Sequence, residues 1–131
     1  MRYLLHYSAI ALGALVITTN PISAQDLYGS VGERWANGAN FEQIGDFDSA
    51  ISEYRDALNQ NISITNPTLR DCARQGTIAR LEGATAGQHY IQSYGNSPDS
   101  VKAAQQASQD QFRQAMDAFD KSRPDLANSC P

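Results

Sequence analysis

The sequence predicts an all-α fold, and three observations support that prediction. Apolar and small residues recur at steps of three and four along four long segments, which is the spacing of one helix face. Gly, Pro and Asn cluster where these segments meet, as they do at helix ends. No stretch is convincing as a β-strand. We therefore expect this chain of 131 residues to form an array of four helices.

Residues 1–24 are typical of a secretory signal peptide. Arg2 gives a positive start, a mostly apolar run follows, and Ala24 is a small residue at a plausible cleavage edge. The apolar run is interrupted by His6 and is shorter than the roughly 20 residues that a bilayer-spanning helix needs, which argues against a retained anchor. We expect cleavage after about Ala24. Residues 25–131 would then form one helical domain, periplasmic or secreted, without stable membrane insertion.

The first two segments have the pattern of an antiparallel helical hairpin. Their stripes consist of Tyr28, Val31, Trp35, Gly38 and Phe41 in residues 27–44, and of Phe47, Ala50, Ile51, Tyr54, Ala57 and Leu58 in residues 47–59. Gly45 ends the first segment, because glycine accepts the left-handed backbone that follows a helix. Asp46 is a good N-cap for the second segment. Since only this tight turn joins them, the two helices should lie antiparallel.

The third segment is predicted to be one long helix over residues 68–94, with Pro67 near its first turn. One face carries mostly small residues, and we call it the small-residue face: Leu69, Cys72, Gly76, Ala79, Gly83, Gly87, Tyr90 and Tyr94. Each mid-helix glycine costs about 1 kcal/mol relative to alanine, so we expect another helix to lie close against this face. The alternative is a break at Glu82–Gly83, which would create a second helical hairpin.

The fourth segment is predicted to be a helix over residues 100–121, and Pro124 ends it. The tail that follows has no periodicity of its own. We expect a disulfide between Cys72 and Cys130 to anchor it, because paired cysteines in an oxidising compartment are usually bridged. Closing a loop of this length would contribute roughly 4 kcal/mol. The alternative is a buried thiol at Cys72 and an exposed one at Cys130.

The first hairpin resembles a tetratricopeptide repeat, at about residues 31–64. The matching positions are Gly38-x2-Phe41, the turn Gly45-Asp46-Phe47, Ala50-x3-Tyr54, and Ala57. The sequence departs from the family where Arg34, Asn37 and Ile62 replace a Trp, a Leu and a Pro, and Trp35 lies one place late. The resemblance covers one repeat and implies a helical hairpin that needs neighbouring helices to cover it.

The resemblance also implies a partner-binding face. In tetratricopeptide arrays the partner lies along the first helix of each repeat, and the corresponding positions here are Trp35, Ala39, Glu42 and Gln43. Trp35 has a second interpretation, as the family's core tryptophan displaced by one position. We therefore expect a protein or peptide partner, with Trp35 lying either in its groove or in the core.

Catalytic, metal and cofactor sites are not predicted. His89 is the one histidine outside the leader, and no Cys, Asp or Glu near it has the spacing of a metal site. Cys72 as a nucleophile would need a neighbouring base, yet His89 lies roughly 25 Å away along the same helix. No glycine-rich phosphate loop follows a strand. We therefore expect a protein that is not an enzyme and binds neither metal nor cofactor.

The charge argues against two classes of partner. The formal net charge is −4, and it becomes more negative when Arg2 is lost with the leader. Nucleic acids and anionic lipid surfaces require cationic protein surface. Two functions remain: an exported adaptor that holds a protein or peptide, and a structural or assembly subunit. In the second case the small-residue face of residues 68–94 would meet its own copy in a homodimer.

Overall fold

The computed structural model describes residues 27–131, and all regular structure in that range is helical, which confirms the all-α prediction. The helices are α1 (Ser30–Gln43), α2 (Phe47–Gln60), α3 (Pro67–Tyr94), α4 (Pro98–Ser122) and α5 (Pro124–Ala127), with a 3-10 turn at Asn61–Ser63. None of them combines the length and apolar composition needed to cross a bilayer. The predicted signal peptide, residues 1–24, lies outside the described range.

The turn between α1 and α2 forms as the sequence indicates. Gly45 has a φ of 81°, in the left-handed region that favours glycine. The Asp46 side chain caps α2 by accepting a 3.1 Å hydrogen bond from the backbone N–H of Ser49. The Tyr54 ring lies so close to Gly38 that no side chain would fit there. This close approach lets the two helices of the hairpin pack tightly.

The four long helices form an up-down-up-down bundle. Trp35 of α1 lies beside Gly76 of α3, and Glu42 lies within electrostatic reach of Arg80, so α1 and α3 run in the same direction. Ser108 of α4 lies against Gly83. Because the connection between α3 and α4 is short, these two helices lie antiparallel and form a second hairpin. This hairpin is longer than the first, since α3 and α4 have 28 and 25 residues whereas α1 and α2 have 14 each.

The prediction of one unbroken helix over the third segment is confirmed, and the alternative break at Gly83 is not observed. The glycines are where other helices approach α3. A side chain at Gly76 would lie 3.0 Å from the Trp35 ring, and one at Gly83 would lie 2.7 Å from the backbone oxygen of Ser108. At Gly87 the Phe47 ring fills the space. The propensity cost of the glycines is thus offset by close packing.

The small-residue face is therefore covered by this chain's own helices. Gly76, Gly83 and Gly87 are buried against α1, α4 and α2 respectively. A homodimer built through this face would require those helices to separate from α3. The glycines are explained by contacts within one chain, so they give no support to pairing of two copies there.

One end of the bundle is covered by the C-terminal tail, and we call it the closed end. The predicted disulfide is confirmed, with Cys72 joined to Cys130 over a separation of 58 residues. Leu126 of α5, a short helix that the sequence analysis did not predict, is buried there. Arg123 forms ion pairs with Asp71 at 3.9 Å and with Asp125 at 2.9 Å. The tail is thus held covalently, by apolar burial and by charge.

Candidate functional site

The structure buries three of the four residues that the resemblance assigns to a partner face. Trp35 and Glu42 are 2% and 6% exposed, Ala39 is also buried, and only Gln43 is exposed. Trp35 is covered by α3 and Glu42 by α2 and α4, so a partner would reach these two side chains only if those helices moved away. The role of these residues in partner binding stays a prediction, and the arrangement does not favour it. The burial of Trp35 agrees with its second interpretation as a core residue.

Trp35 is held on several sides. Its indole Nε1 donates a 2.9 Å hydrogen bond to the Thr77 hydroxyl of α3. The Arg80 guanidinium carbon lies 3.8 Å from the centre of the ring system, and the Tyr28 ring lies at 5.1 Å. Arg80 also donates to the carbonyl oxygen of Gly76. A buried indole needs a partner for its N–H and gains from a cation over its face, and both needs are met within the bundle.

Glu42 occupies a buried junction of all four long helices, which we define as Glu42, Tyr54, Arg80 and Ser108. The Tyr54 hydroxyl donates to Oε2 at 2.7 Å, and the Ser108 hydroxyl donates to Oε1 at 2.6 Å. Burial raises the pKa of Glu42, against the opposing effects of the two hydrogen bonds and the charge of Arg80. The carboxyl group therefore joins α1 to α2 and α4 within the core.

The end of α1 is also attached to α4 through the backbone. The Gln105 side chain donates hydrogen bonds to the carbonyl oxygens of Glu42, at 3.0 Å, and Gln43, at 2.9 Å. These carbonyls lie in the last turn of α1, where intrahelical donors run out. Sequence reasoning placed Glu42 and Gln43 on one helix face but gave no sign that α4 returns to cover that face.

The junction has the features of a structural element. Ser108 is fully buried, so a substrate has no route to its hydroxyl, which is already bound to Glu42. His89 is exposed elsewhere on α3, and Cys72 is oxidised in the disulfide. Between residues 27 and 131 no group of three His, Cys, Asp or Glu side chains is placed to hold a metal ion. The contacts of the junction serve to hold helices together.

A cleft of about 330 Å³ lies between α3 and α4, on the side away from the α1–α2 hairpin. Ile78 and Ala79 line it from α3, and Ala115 and Phe119 line it from α4. Glu82 is the one charged side chain in its lining. Ala79 and Phe119 in its lining belong to the core that already joins these two helices, and Ala115 packs against that core.

The end of the bundle opposite the tail carries four large apolar side chains, and we call it the open end: Ile44 and Tyr94, which are exposed, and Tyr90 and Val101, which are half-buried. Ile44 is 71% exposed and Tyr94 is 69% exposed. The two turns that carry them meet, since the Val101 side chain lies against Gly45, at 3.0 Å from the position of a Cβ there. The third large exposed apolar residue, Ile62, lies near the closed end and is 80% exposed.

The open end has the shape of a step because the two hairpins differ in length. Phe47, at the start of α2, lies against Gly87, and α3 continues for seven residues beyond that point, or about 10 Å. Tyr94 follows Gly87 by two helical turns and so shares its face. Its ring lies 4.5 Å from that of Tyr90. The small-residue face thus ends in a pair of aromatic rings above the α1–α2 turn, of which Tyr90 is half-buried against the core and Tyr94 is exposed.

The open end was missed by sequence reasoning, although one signal was present. Tyr90 and Tyr94 lie on the stripe that predicted close helix packing, but the hairpin over residues 27–59 is too short to cover the whole of a helix over residues 68–94. Comparing those two lengths would have indicated that the aromatic end of the stripe projects beyond its cover.

Comparison of the chain with protein-family models, curated proteins and solved structures gave no match.

Proposed function

We propose that this chain is an exported, non-catalytic binding module that holds a protein or peptide partner at its open end. The observation that carries the proposal is the exposure of Ile44 and Tyr94 at the same end of the bundle, 71% and 69% respectively. Exposed apolar side chains gathered at one place mark interaction sites, and tyrosine is enriched in protein interfaces. At the closed end, Ile62 is the one large apolar side chain of the described residues that is exposed, whereas Leu126 is buried.

Two finer points belong to the same proposal. A relation of the α1–α2 hairpin to tetratricopeptide repeats is supported by the close contact of Gly38 with Tyr54 and by the packing of α3 against both helices. Export is supported by the disulfide between Cys72 and Cys130, since such bonds persist in oxidising compartments. We place the partner at the open end because α3 and α4 cover the face that tetratricopeptide arrays use.

Site-specific photocrosslinking in cells that make the protein tests the proposal. The full chain would carry a photoreactive amino acid in place of Ile44, Tyr94 or, as the matched control, Ile62. All three side chains are large, apolar and exposed, but only the first two lie at the open end. We expect one discrete adduct with another protein from positions 44 and 94 and none from position 62. Equal adducts from all three positions, or none at all, would contradict the proposal.

The same experiment addresses the structural-subunit alternative. A second copy of the chain at the open end would give an adduct of twice the mass of the chain, containing only its own peptides. An adduct within one chain, at residues that do not contact the open end in this structure, would show that the chain covers this end itself. Either result would replace the proposed partner, whereas a heterologous adduct lost in the Ile44→Ser/Tyr94→Ser variant would support it.

A further inference from the structure

We propose that the partner segment held at the open end is a cationic amphipathic helix. This inference rests on the proposed function and adds the chemistry of the partner to it. Two independent features of the open end support it: the sign of the charge near the exposed apolar side chains, and the step that these side chains line.

The charge around the open end is negative. Residues 44–48 and 90–102 contribute three carboxylates, Asp46, Asp48 and Asp99, and one ammonium group, Lys102. Asp48 and Asp99 are exposed, and Asp48 accepts a hydrogen bond from the side-chain amide of Gln88, which leaves its negative charge in place. Asp46 is engaged in capping α2 through the backbone and hydroxyl of Ser49. A cationic partner is therefore favoured at this end, and an anionic one is repelled.

The helix dipoles do not reverse this sign. The N-termini of α2 and α4 meet the C-termini of α1 and α3 at the open end. The partial positive and partial negative charges of these termini largely offset one another. The carboxylates therefore set the local potential. They lie at the same end as the exposed side chains of Ile44 and Tyr94, so the complementary segment needs an apolar face bordered by basic residues.

The step offers a surface along which one helix can lie. Its floor is the α1–α2 turn with Ile44, and its wall is the last two turns of α3 with Tyr90 and Tyr94. The wall rises about 10 Å beyond Phe47 and less above the floor, because the turn projects beyond Phe47 as far as Val101. An amphipathic helix lying across the step would place apolar side chains on Ile44 and Tyr94, as helices do in apolar grooves. Its basic residues would reach Asp48 and Asp99.

The tyrosine pair suits the same partner. A tyrosine ring face attracts an ammonium or guanidinium group as well as apolar side chains. The rings of Tyr90 and Tyr94 lie 4.5 Å apart, and that of Tyr94 is largely exposed. The closed end lacks this combination: Ile62 is exposed there, but the nearby charges of Asp71, Arg123 and Asp125 are engaged in ion pairs with one another.

Fluorescence anisotropy with designed peptides tests the charge and the apolar contact separately. The probes are a labelled amphipathic helix of Leu and Lys, the same helix with Glu in place of Lys, and a Lys/Gln peptide without apolar residues. The full chain is expected to bind the Leu/Lys helix more tightly than either of the others. Binding of the Leu/Glu helix with equal affinity would overturn the inference.

Four variants locate the binding on the chain. Asp48→Asn/Asp99→Asn is expected to weaken binding of the Leu/Lys helix about fivefold at low salt, because two surface charge pairs are lost. Ile44→Ser/Tyr94→Ser is expected to weaken it more than tenfold. The matched controls are Asp110→Asn/Asp117→Asn, which removes the same charge from the middle of α4, and Ile62→Ser. Equal effects of a variant and its control would overturn the inference.

The failure of this inference can be told apart from that of the proposed function. If Asp48→Asn/Asp99→Asn leaves both peptide binding and the photocrosslinks at positions 44 and 94 unchanged, the partner is not cationic, although the open end still binds it. If the photocrosslinks are absent from the unmodified chain, the proposed function fails and this inference fails with it. Loss of the photocrosslinks in the charge variant alone would support both.

Discussion

The two ends of the bundle differ in how they are held together and in what they expose. At the closed end, a tail without helical periodicity is tied down by the disulfide between Cys72 and Cys130, by burial of Leu126 and by the ion pairs of Arg123. At the open end, the Val101 side chain lies against Gly45 and Gln105 holds the last turn of α1, while Ile44 and Tyr94 remain exposed. The covalent anchor lies at one end, and the surface that we propose for a partner lies at the other.

In our proposal, the contacts that stabilise the fold and the side chains that bind a partner therefore lie at opposite ends of the bundle. A domain of about 100 residues has a modest core and gains considerably from a covalent bond. Covering Tyr94 within the chain would add apolar burial but would remove the surface that we assign to the partner. The comparison therefore predicts large stability effects at the closed end, intermediate effects where the helices join, and almost none at the open end.

The largest effect is expected from removing the disulfide. Cys72→Ala/Cys130→Ala should lower the free energy of unfolding by about 4 kcal/mol, since the unfolded chain regains the freedom of a 58-residue loop. Urea denaturation followed by circular dichroism measures this loss. Wild-type protein treated with a reductant under denaturing conditions and refolded should show a similar loss. A loss below about 1 kcal/mol would show that the closed end does not depend on its covalent bond.

Gly83→Ala should destabilise the bundle by about 1 kcal/mol, because crowding against the Ser108 carbonyl outweighs the gain in helix propensity. The control is Ser93→Ala, an exposed position on the same helix where only the propensity changes. Thermal unfolding of both variants compares them. A higher melting temperature for Gly83→Ala than for wild type would mean that α4 does not press against α3 at this point.

Titration of Glu42 is expected to change the free energy of unfolding less than the two substitutions above. The reason is that Ser108, Tyr54 and Arg80 offset much of the cost of burying its carboxylate. Its folded-state pKa lies above the unfolded value, so the folded protein binds the proton more tightly. The stability contributed by protonation is fully present below the ordinary value of 4.5 and is lost as pH rises through the folded-state pKa.

The Glu42→Gln variant isolates this pH dependence, because the amide resembles the protonated carboxyl group in shape and does not titrate. The difference in unfolding free energy, wild type minus variant, should fall as pH rises above 4.5. Urea denaturation at a series of pH values gives that difference. A difference that stays constant or grows with pH would mean that the pKa of Glu42 is not raised by folding.

The smallest effect is expected at the open end. Ile44→Ser/Tyr94→Ser should change the free energy of unfolding by no more than about 0.5 kcal/mol, because exposed side chains lose little on replacement. Ile62→Ser provides the matched control at the closed end, and urea denaturation measures both. A loss of more than about 2 kcal/mol from the open-end variant would assign these residues to folding instead of binding.

Much of the fold could be predicted from the sequence. The hairpin turn at Gly45 and Asp46, the unbroken helix from Pro67 to Tyr94 and the disulfide of Cys72 all follow from local rules about glycine, proline, capping and cysteine pairing. The rules for glycine, proline and capping depend on a few neighbouring residues, and the cysteine rule depends on the number of cysteines, so one sequence is enough to apply them. Helix α5 was not predicted because four residues are too few to show periodicity.

The candidate site could be predicted only in part, because periodicity gives the face of a helix and not what covers it. Trp35 and Glu42 lie on the predicted face of α1, but α3 covers Trp35 and α4 returns to cover Glu42. Conversely, Tyr94 lies on a stripe that looks like core and is exposed because the hairpin ends before it. Both differences depend on which helices meet in three dimensions, and the spacing within one helix does not contain that information.

Hydroxyl-radical footprinting read by mass spectrometry tests the central claim most directly. It compares oxidation of Ile44, Tyr94 and Ile62 in the purified full chain and in cells that make it. We predict that all three react in the purified chain, as their exposure requires, and that Ile44 and Tyr94 become protected in cells while Ile62 does not. Equal reactivity of Ile44 and Tyr94 in both settings would contradict the assignment of the open end as a binding surface.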